Sequence, residues 1–435
     1  MSRLAINLTE WSRLGPGEDA RLAGYSFEED DKARNQARQL TENGRVEIQE
    51  LRDGLVIRTN SYVGNIQLGN LQIQIQPKIT GFPLLNLLRY AYNFRDLGLY
   101  ETADQPVGDS NFVDLLIIQL RIEAQELITR GLHKDYERVA GDLSSPRGRI
   151  DFRRFALRGG TAEATLPCIF HPRLQNSLIN RVLLSGLTLA AQMASSLTLR
   201  TELRRLAALL SVDISPVRLD WQVMNQVWRQ MDRRVKAYEP AINIIGMLMQ
   251  MKGLLLEEFS QQLRIPGFLF DMNRFFQALL SRFLHENFQG YVVRDEYHLQ
   301  DMMGYAIGYN PRKRRSPAPR PDYVITKNDH VVAILDAKYI DLWEREPPAS
   351  ILYQLSIYAL SQGRDSSAII LYPTMDDSAS EARIDVRDLI HGRAQAQIIL
   401  RPVHLGLMER LVTAGNTYRP REQRSALARS MVFGD

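Results

Sequence analysis

Between residues 45 and 79 apolar and polar positions alternate with the period of a β-strand. The segments "GLVIRTN", "VGNIQLGN" and "LQIQIQPKI" are short and punctuated by Gly and Asn, the signature of consecutive hairpins. In "LQIQIQ", Leu71, Ile73 and Ile75 fall on one face and Gln72, Gln74 and Gln76 on the other. The pattern predicts a small β-rich domain resembling a partial barrel, preceded by a polar helix in "FEEDDKARNQARQLTENG". From Phe82 the period lengthens. "PLLNLLRYAYNF", "NFVDLLIIQLRIEAQELITRGL", "LQNSLINRVLLSGLTLAAQMASS" and "TELRRLAALLS" carry apolar residues at helical spacing. "SSPRGRIDF" (Ser144 to Phe152) interrupts them with Pro and Gly and ends in a strand-like fragment.

The pattern changes again near Phe268. "DMNRFFQALLSRFLHENF" places Met272, Phe275, Phe276, Leu279, Leu280, Phe283 and Leu284 on one helical stripe. The strand "YVVRDEYHL", a basic loop, the strand "DYVIT", a "KNDH" turn and the strand "VVAILDAKYI" follow. The helix "SILYQLSIYALSQG" ends near Gly363, and "SAIILYP" and "AQIILRPV" read as further strands. This order predicts an α/β domain with a mixed sheet. The expected whole is a multidomain α+β protein: a β-rich N-terminal domain over residues 1–80, a mainly helical domain over 81–265 and an α/β domain over 266–435.

Composition narrows the class. A chain of 435 residues with 45% hydrophobic and 24% charged residues suits two or three globular domains. Cys168 is the single cysteine, which excludes an intrachain disulfide and a cysteine-based metal cluster and fits a reducing cytoplasm. The N-terminus lacks the apolar core of a signal peptide, and no apolar run reaches the roughly 18 residues expected of a spanning helix. No membrane association is expected. The net charge of +4 decides little, but its distribution is uneven. "PRKRRSPAPRP" carries Arg312, Lys313, Arg314, Arg315 and Arg320 with no acid, and the tail adds Arg419, Arg421, Arg424 and Arg429. Such stretches can neutralise phosphates. The plainer alternative is a solvated loop and a frayed tail.

Candidate chemistry concentrates in "RPDYVITKNDHVVAILDAKY". A short hairpin brings Asp322, at the start of one strand, beside Asp336 and Lys338, at the end of the next. Asp336 and Lys338 are two residues apart and share a face, whereas Ala337 points away into packing. Two converging carboxylates repel unless a cation lies between them, and hard oxygen ligands with open positions suit Mg²⁺ or Mn²⁺. A lysine beside such an ion can orient or polarise an attacking water. Gln354 and Tyr358, four apart on the following helix, can reach the same cleft. The ordered set P-D, D-x-K, Q-x-x-x-Y on strand, strand and helix is more particular than any of its parts.

That set resembles the PD-(D/E)xK nuclease superfamily, in the branch whose D-x-K is followed by Q-x-x-x-Y. The resemblance implies that Asp322 and Asp336 bind the metal, that Lys338 assists the nucleophile, and that Gln354 and Tyr358 support the site or the DNA backbone. The family often carries an acid on the helix before the sheet. Here that helix offers Gln277 and His285, with Glu286 beside the latter, so the third ligand is open between Gln277 and His285. The blocks "RGLHKDYERVAGDLSSPRGRIDF", "HPRLQNSLINRVLLSGL" and the nuclease motifs, in this order, resemble McrC, the nuclease subunit of McrBC-type modification-dependent restriction systems. The segment before about residue 80 has no counterpart in the short members of that family, so the resemblance gives it no role.

The McrC likeness implies a partner: a hexameric ring of an McrB-like AAA+ GTPase. This chain contains no G-x-x-x-x-G-K-[ST], so GTP would be bound by the partner and not by this chain. In that family the non-nuclease part enters the ring and stimulates hydrolysis. Arg147 and Arg149 are candidates for this contact, or they are solvated arginines on a turn and strand. The expected function is a metal-dependent endonuclease subunit acting on modified DNA. Two alternatives are a DNA-processing nuclease of a repair or other defence system, and a non-catalytic DNA-binding regulator of an AAA+ ring.

Overall fold

The computed structural model describes residues 4–27, 30–79, 81–92, 112–136, 138–158, 164–253, 267–299, 302–363, 366–388, 390–414 and 418–434. The expected boundary between residues 265 and 266 lies outside them. The chain divides into two compact units, one formed by Met1–Phe112 with Leu254–Asp435 and the other by Val113–Gly253.

The first unit joins what the sequence separates. Its N-terminal part has a four-stranded sheet in the order Leu4–Thr9, Leu71–Gln76, Tyr62–Leu68 and Gly267–Asp271. A three-stranded sheet has the order Arg13–Leu14, Gly54–Thr59, Val46–Leu51. The strand Gly267–Asp271 pairs antiparallel with Tyr62–Leu68, a partner about two hundred residues earlier in the chain. Asp271 then caps the helix Met272–Asn287, accepting from the Asn273 N–H at 2.9 Å. The C-terminal part therefore grows directly out of the N-terminal sheet. The alternation in "LQIQIQ" holds: Leu71, Ile73 and Ile75 are buried with Ile6, Ile66 and Leu269 in one core. The helix Gly81–Tyr92 also belongs to this unit, where the Tyr90 hydroxyl donates to Glu286 Oε2 at 2.7 Å. The sequence pattern groups it with the middle helices because their period is the same.

The C-terminal part is a six-stranded mixed sheet in the order Val292–Asp295, Tyr323–Lys327, His330–Ala337, Ser366–Thr374, Ala394–His404, Ala382–Arg387. The three strands His330–Ala337, Ser366–Thr374 and Ala394–His404 run parallel, and the remaining pairs are antiparallel. The helix Ala349–Ser361 crosses between the first two parallel strands and buries Leu355, Tyr358 and Ala359 against the sheet. The strand Ala382–Arg387 escapes the sequence reading because its residues are half-exposed or exposed and carry charges. The basic tail is not frayed. Tyr418–Phe433 is a helix, and buried Arg424 donates to the carbonyls of Leu411 and Ala414 at 3.0 and 3.2 Å.

The second unit contains the helices Leu178–Met193, Leu197–Leu210, Trp221–Arg229 and Glu239–Gly253, together with most of Phe112–Arg130. It also holds a three-stranded sheet, Val139–Leu143, Leu166–Phe170, Arg149–Ile150. "PRGRIDF" becomes intelligible here. Gly148 has φ +71°, and a Cβ there would lie 2.3 Å from the Ile169 carbonyl oxygen. Asp151 caps the helix Phe152–Leu157 through the Arg154 N–H at 3.2 Å. In "LQNSLIN", the Asn176 Oδ1 accepts from the Ser215 N–H at 2.9 Å. Buried Asn180 donates to the carbonyls of His133 and Gln175 and accepts from the Tyr238 hydroxyl. Among the described residues, no helix is long and apolar enough to cross a membrane.

Candidate active site

The site lies at one end of the mixed sheet. Tyr323 pairs with Leu335, so Asp322, just before its strand, meets Asp336 and Ala337, at the end of the next. The Ala337 N–H donates to Asp322 Oδ2 at 2.7 Å, and the Gln277 side-chain amide donates to Asp322 Oδ1 at 3.0 Å. The Tyr323 hydroxyl donates to the Gln277 carbonyl at 2.7 Å, which ties the helix to the strand beside the carboxylate. The Lys338 N–H donates to the Leu371 carbonyl at 3.0 Å, so the backbone of the D-x-K segment is held from the parallel neighbour as well.

The Lys338 ammonium lies 2.7 Å from Asp336 Oδ2 and 3.8 Å from Asp322 Oδ2. The side chain of Asp336 is 1% exposed and that of Lys338 27%. Burial pushes the Asp336 carboxyl up to about 6; the charge of Asp322 adds to this and Lys338 opposes it. Burial works against the Lys338 ammonium, but the charges of Asp336 and Asp322 outweigh it and hold its pKa above the ordinary lysine value. Two carboxylates thus share one cation, and the cluster retains an excess negative charge. The Asp336 Oδ2 contact is ionic, without the alignment of a hydrogen bond. A buried oxygen of this kind, an unbalanced charge and a donor set of carboxylates and an amide suit a small hard divalent cation. Among the described residues no group of three or more His, Cys, Asp and Glu converges in a manner that would hold a metal, so any ion here would rest on two acids and other oxygens.

The Gln354 amide donates to the Tyr358 hydroxyl at 3.0 Å. Burial raises the Tyr358 pKa and the Gln354 bond opposes it; both site carboxylates and Lys338 lie within electrostatic reach. His285 does not join the cluster. Its Nδ1 lies 2.8 Å from the Ser281 carbonyl of its own helix and 3.9 Å from Asp295. Glu286 is engaged by Arg282 and Tyr90. Of the helix candidates, Gln277 is the one brought to Asp322.

The basic loop leaves the sheet at this same end. Arg312, Lys313, Arg314 and Arg315 are exposed and have no ion-pair partner among the described residues. Arg320 differs: it is paired with Glu296, and its Nε donates to the Glu296 carbonyl at 3.1 Å. Arg147 and Arg149, in the second unit, are exposed and unpaired among the described residues.

Several residues that brace the site carry no sequence signal. The Tyr339 N–H donates to Asn273 Oδ1 at 2.9 Å, and Asn273 Nδ2 donates to Ser61 Oγ at 2.6 Å. The Tyr339 hydroxyl donates to Glu10 Oε1 at 2.9 Å, which also accepts from the Lys78 N–H at 2.8 Å. Burial pushes the Glu10 carboxyl up to about 7. Further along, Lys78 Nζ meets Glu344 at 2.7 Å and Arg345 donates to the Trp11 carbonyl. The segment after Lys338 is therefore held along its length by the N-terminal part. Nothing in the pattern around Glu10 points to its partners, because Tyr339 is 329 residues away and Lys78 is 68 residues away.

Comparison with known proteins places the chain in a family. The profile of a family described as "McrBC 5-methylcytosine restriction system component" matches residues 57–373. No curated protein matches the chain. A solved structure, the refined half-complex from a tetradecameric assembly of Thermococcus gammatolerans McrB AAA+ hexamers with bound McrC, contains a chain of similar fold. The TM-score is 0.62 at 18% identity, covering 97% of this chain and 99% of that one. A cryo-EM structure of the Thermococcus gammatolerans McrBC complex matches at a TM-score of 0.46 and 17% identity over 65% of this chain and 88% of that one. The family match spans well over half of the sequence, and the chain belongs to the family of McrBC 5-methylcytosine restriction system components.

Proposed function

We propose that this chain is the McrC-type, metal-dependent DNA endonuclease subunit of an McrBC-like restriction complex. The observation that carries the reading is the convergence of Asp322, Asp336, Lys338 and Gln277 at the end of two adjacent strands. Asp322 and Asp336, with the Gln277 amide oxygen or an intervening water, would hold Mg²⁺ or Mn²⁺. When bound, that ion supplies Lewis acidity and neutralises charge at the phosphate. Lys338 orients the attacking water and meets charge developing on the phosphoryl oxygens. Asp322 is itself fixed by the Ala337 N–H, so its carboxylate is oriented before substrate arrives. Tyr358, bonded by Gln354, presents its hydroxyl toward the same charges and steadies the site or the DNA backbone. Arg312 to Arg315 track phosphates.

The partner in this reading is an McrB-like AAA+ GTPase ring, which binds GTP that this chain has no loop to hold. Likeness over nearly the whole chain to a protein from an assembly of McrB hexamers with bound McrC supports it. Arg147 and Arg149 are the proposed contacts of the second unit with that ring. The test is reconstitution with the AAA+ partner on methylated and unmethylated DNA. Cleavage that requires a divalent metal and GTP is expected from the complex. Asp336→Ala should lose cleavage and still raise the partner's GTP hydrolysis. Equal cutting by the isolated chain without nucleotide would favour a repair-type nuclease instead.

A further inference from the structure

The loop between the strands Val292–Asp295 and Tyr323–Lys327 carries more than its basic residues. Tyr305, Ile307 and Tyr309 are 43%, 99% and 79% exposed, within five residues of one another. The Tyr309 N–H donates to the Ala306 carbonyl at 2.9 Å, which closes a tight turn with Ile307 and Gly308 at its centre. Gly308 has φ +83°, the left-handed conformation that the third position of a type II turn requires. The turn lifts Ile307 clear of the protein. Turn tips usually carry Gly, Asn, Asp or Ser, so an isoleucine between two tyrosines is out of place at a tip that faces only water.

The loop is also shaped. Just beyond the turn, Asn310 Nδ2 donates to the Arg314 carbonyl at 2.8 Å, and the Arg314 N–H donates to Asn310 Oδ1 at 2.9 Å. Lys313 is left-handed with φ +46°. These bonds close a second turn over Asn310 to Arg314, which follows the apolar tip directly in the chain. At the base, the Leu299 N–H donates to the Pro319 carbonyl at 2.9 Å, the Glu296 N–H to the Asp322 carbonyl at 2.8 Å, and Arg320 closes on Glu296. Asp295 pairs with Tyr323, and Tyr323 with Leu335, so the loop rises from the end of the sheet that holds Asp322 and Asp336.

We propose that the tip from Tyr305 to Tyr309 is a base-contacting wedge, with Ile307 and Tyr309 entering or stacking on the bases of duplex DNA beside the phosphate to be cut. Charge complementarity selects the occupant: Arg312, Lys313, Arg314 and Arg315 border the tip, and no acid stands between Pro311 and Pro321. Apolar and aromatic side chains inserted between base steps unstack them and kink the duplex, while neighbouring cations hold the backbone. This inference rests on the reading of the chain as a DNA-acting protein, but not on its catalysis.

The test uses the full chain carrying Asp336→Ala, alone and with the AAA+ partner, and a duplex containing 2-aminopurine. Fluorescence of the probe should rise on binding as its stacking is lost. Adding Ile307→Ser and Tyr309→Ser should abolish that rise and weaken binding about tenfold or more, with the salt dependence of affinity unchanged. Replacing Arg312 to Arg315 should instead flatten the salt dependence. Unchanged affinity and fluorescence in the Ile307→Ser, Tyr309→Ser variant, or no DNA binding by the parent in either state, would overturn the wedge. The first of these outcomes would leave the tip to a protein partner. Failure of the unmutated complex to cleave would bear on the nuclease reading alone.

Discussion

Two segments leave the end of the mixed sheet that holds Asp322 and Asp336, and they are built in opposite ways. The one after Lys338 starts buried, with Tyr339 bonded to Asn273 and Glu10, and continues through exposed residues bonded to the N-terminal part, Glu344 to Lys78 and Arg345 to Trp11. The one before Asp322 is bonded at its base and within its own turns, and its charges and apolar tip face outward. In the proposed reading the difference follows from what each segment does. Two carboxylates and a lysine hold a fixed geometry against their own repulsion only if their backbone cannot yield, and buried hydrogen bonds in low dielectric supply that rigidity. A polyanion is met through exposed cations that release its counterions, and burying those cations would forfeit the effect. The N-terminal part thus has a physical role that the family likeness left open: it forms the rigid wall behind the D-x-K segment.

The strongest way to break the comparison is at Asp336 and Lys338, on the face of the wall. Asp336→Ala and Lys338→Ala should each lower metal-dependent cleavage by roughly 10²–10³-fold or more, the range seen when a preorganised charge-stabilising group is removed. DNA affinity should change little if, as proposed, most phosphate contacts are made by the basic loop. Gel-based cleavage at matched metal concentration and an equilibrium binding assay read the two quantities separately. Retained cleavage in either variant would remove the assignment.

The exposed segment is tested by its salt dependence. Replacing Arg312, Lys313, Arg314 and Arg315 with serine should flatten the log–log slope of DNA affinity against salt by roughly 0.9 for each phosphate that is no longer neutralised, and weaken binding uniformly across sequences. Arg320→Ser is expected to behave differently. Its guanidinium is bound to Glu296, so the substitution loosens the base of the loop and leaves the slope nearly unchanged. An unchanged slope in the fourfold variant would make the basic run a solvated loop with no part in binding.

The legibility of the two segments in the sequence differs for the same reason. The D-x-K pair, the proline-aspartate before it and the alternation of "LQIQIQ" are local patterns whose side-chain directions follow from the strand period. The basic run is a composition signal and needs no fold to be seen. The wall is neither. Glu10 meets Tyr339, and Ser61 meets Asn273, only because Gly267–Asp271 pairs with Tyr62–Leu68, and no periodicity in a short strand names a partner so far away. Helical spacing likewise cannot assign Gly81–Tyr92 to a unit, since an apolar stripe states that a helix is covered and not by what. The departure from a helix acid is visible in the residues themselves, but that Gln277 and not His285 turns to Asp322 depends on the contact itself.

The mildest perturbation addresses the wall from behind. Tyr339→Phe removes one hydroxyl and keeps the ring packed 5.9 Å from Phe276, so a few-fold loss of cleavage with unchanged DNA affinity is expected. Glu10→Gln should cost less still, because the amide oxygen can accept from Tyr339 and Lys78 as the carboxylate does. Its effect is on stability against pH. Glu10 Oε2 is buried without a hydrogen-bond partner among the described residues, beside a cavity of about 30 Å³ that Trp11, Thr374 and Leu405 help to line. Burial raises the carboxyl from its ordinary 4.5 to about 7, so the folded chain binds this proton more tightly than the unfolded chain. The contribution is fully present below the unfolded pKa and is lost as pH rises through the folded one. Wild type should therefore lose stability relative to Glu10→Gln between about pH 4.5 and 8, by up to about 3 kcal/mol if the whole shift is realised. Denaturant midpoints of both proteins across that range give the difference directly. Parallel curves for the two proteins would show that Glu10 is solvated in solution and that the wall is looser than its hydrogen bonds imply.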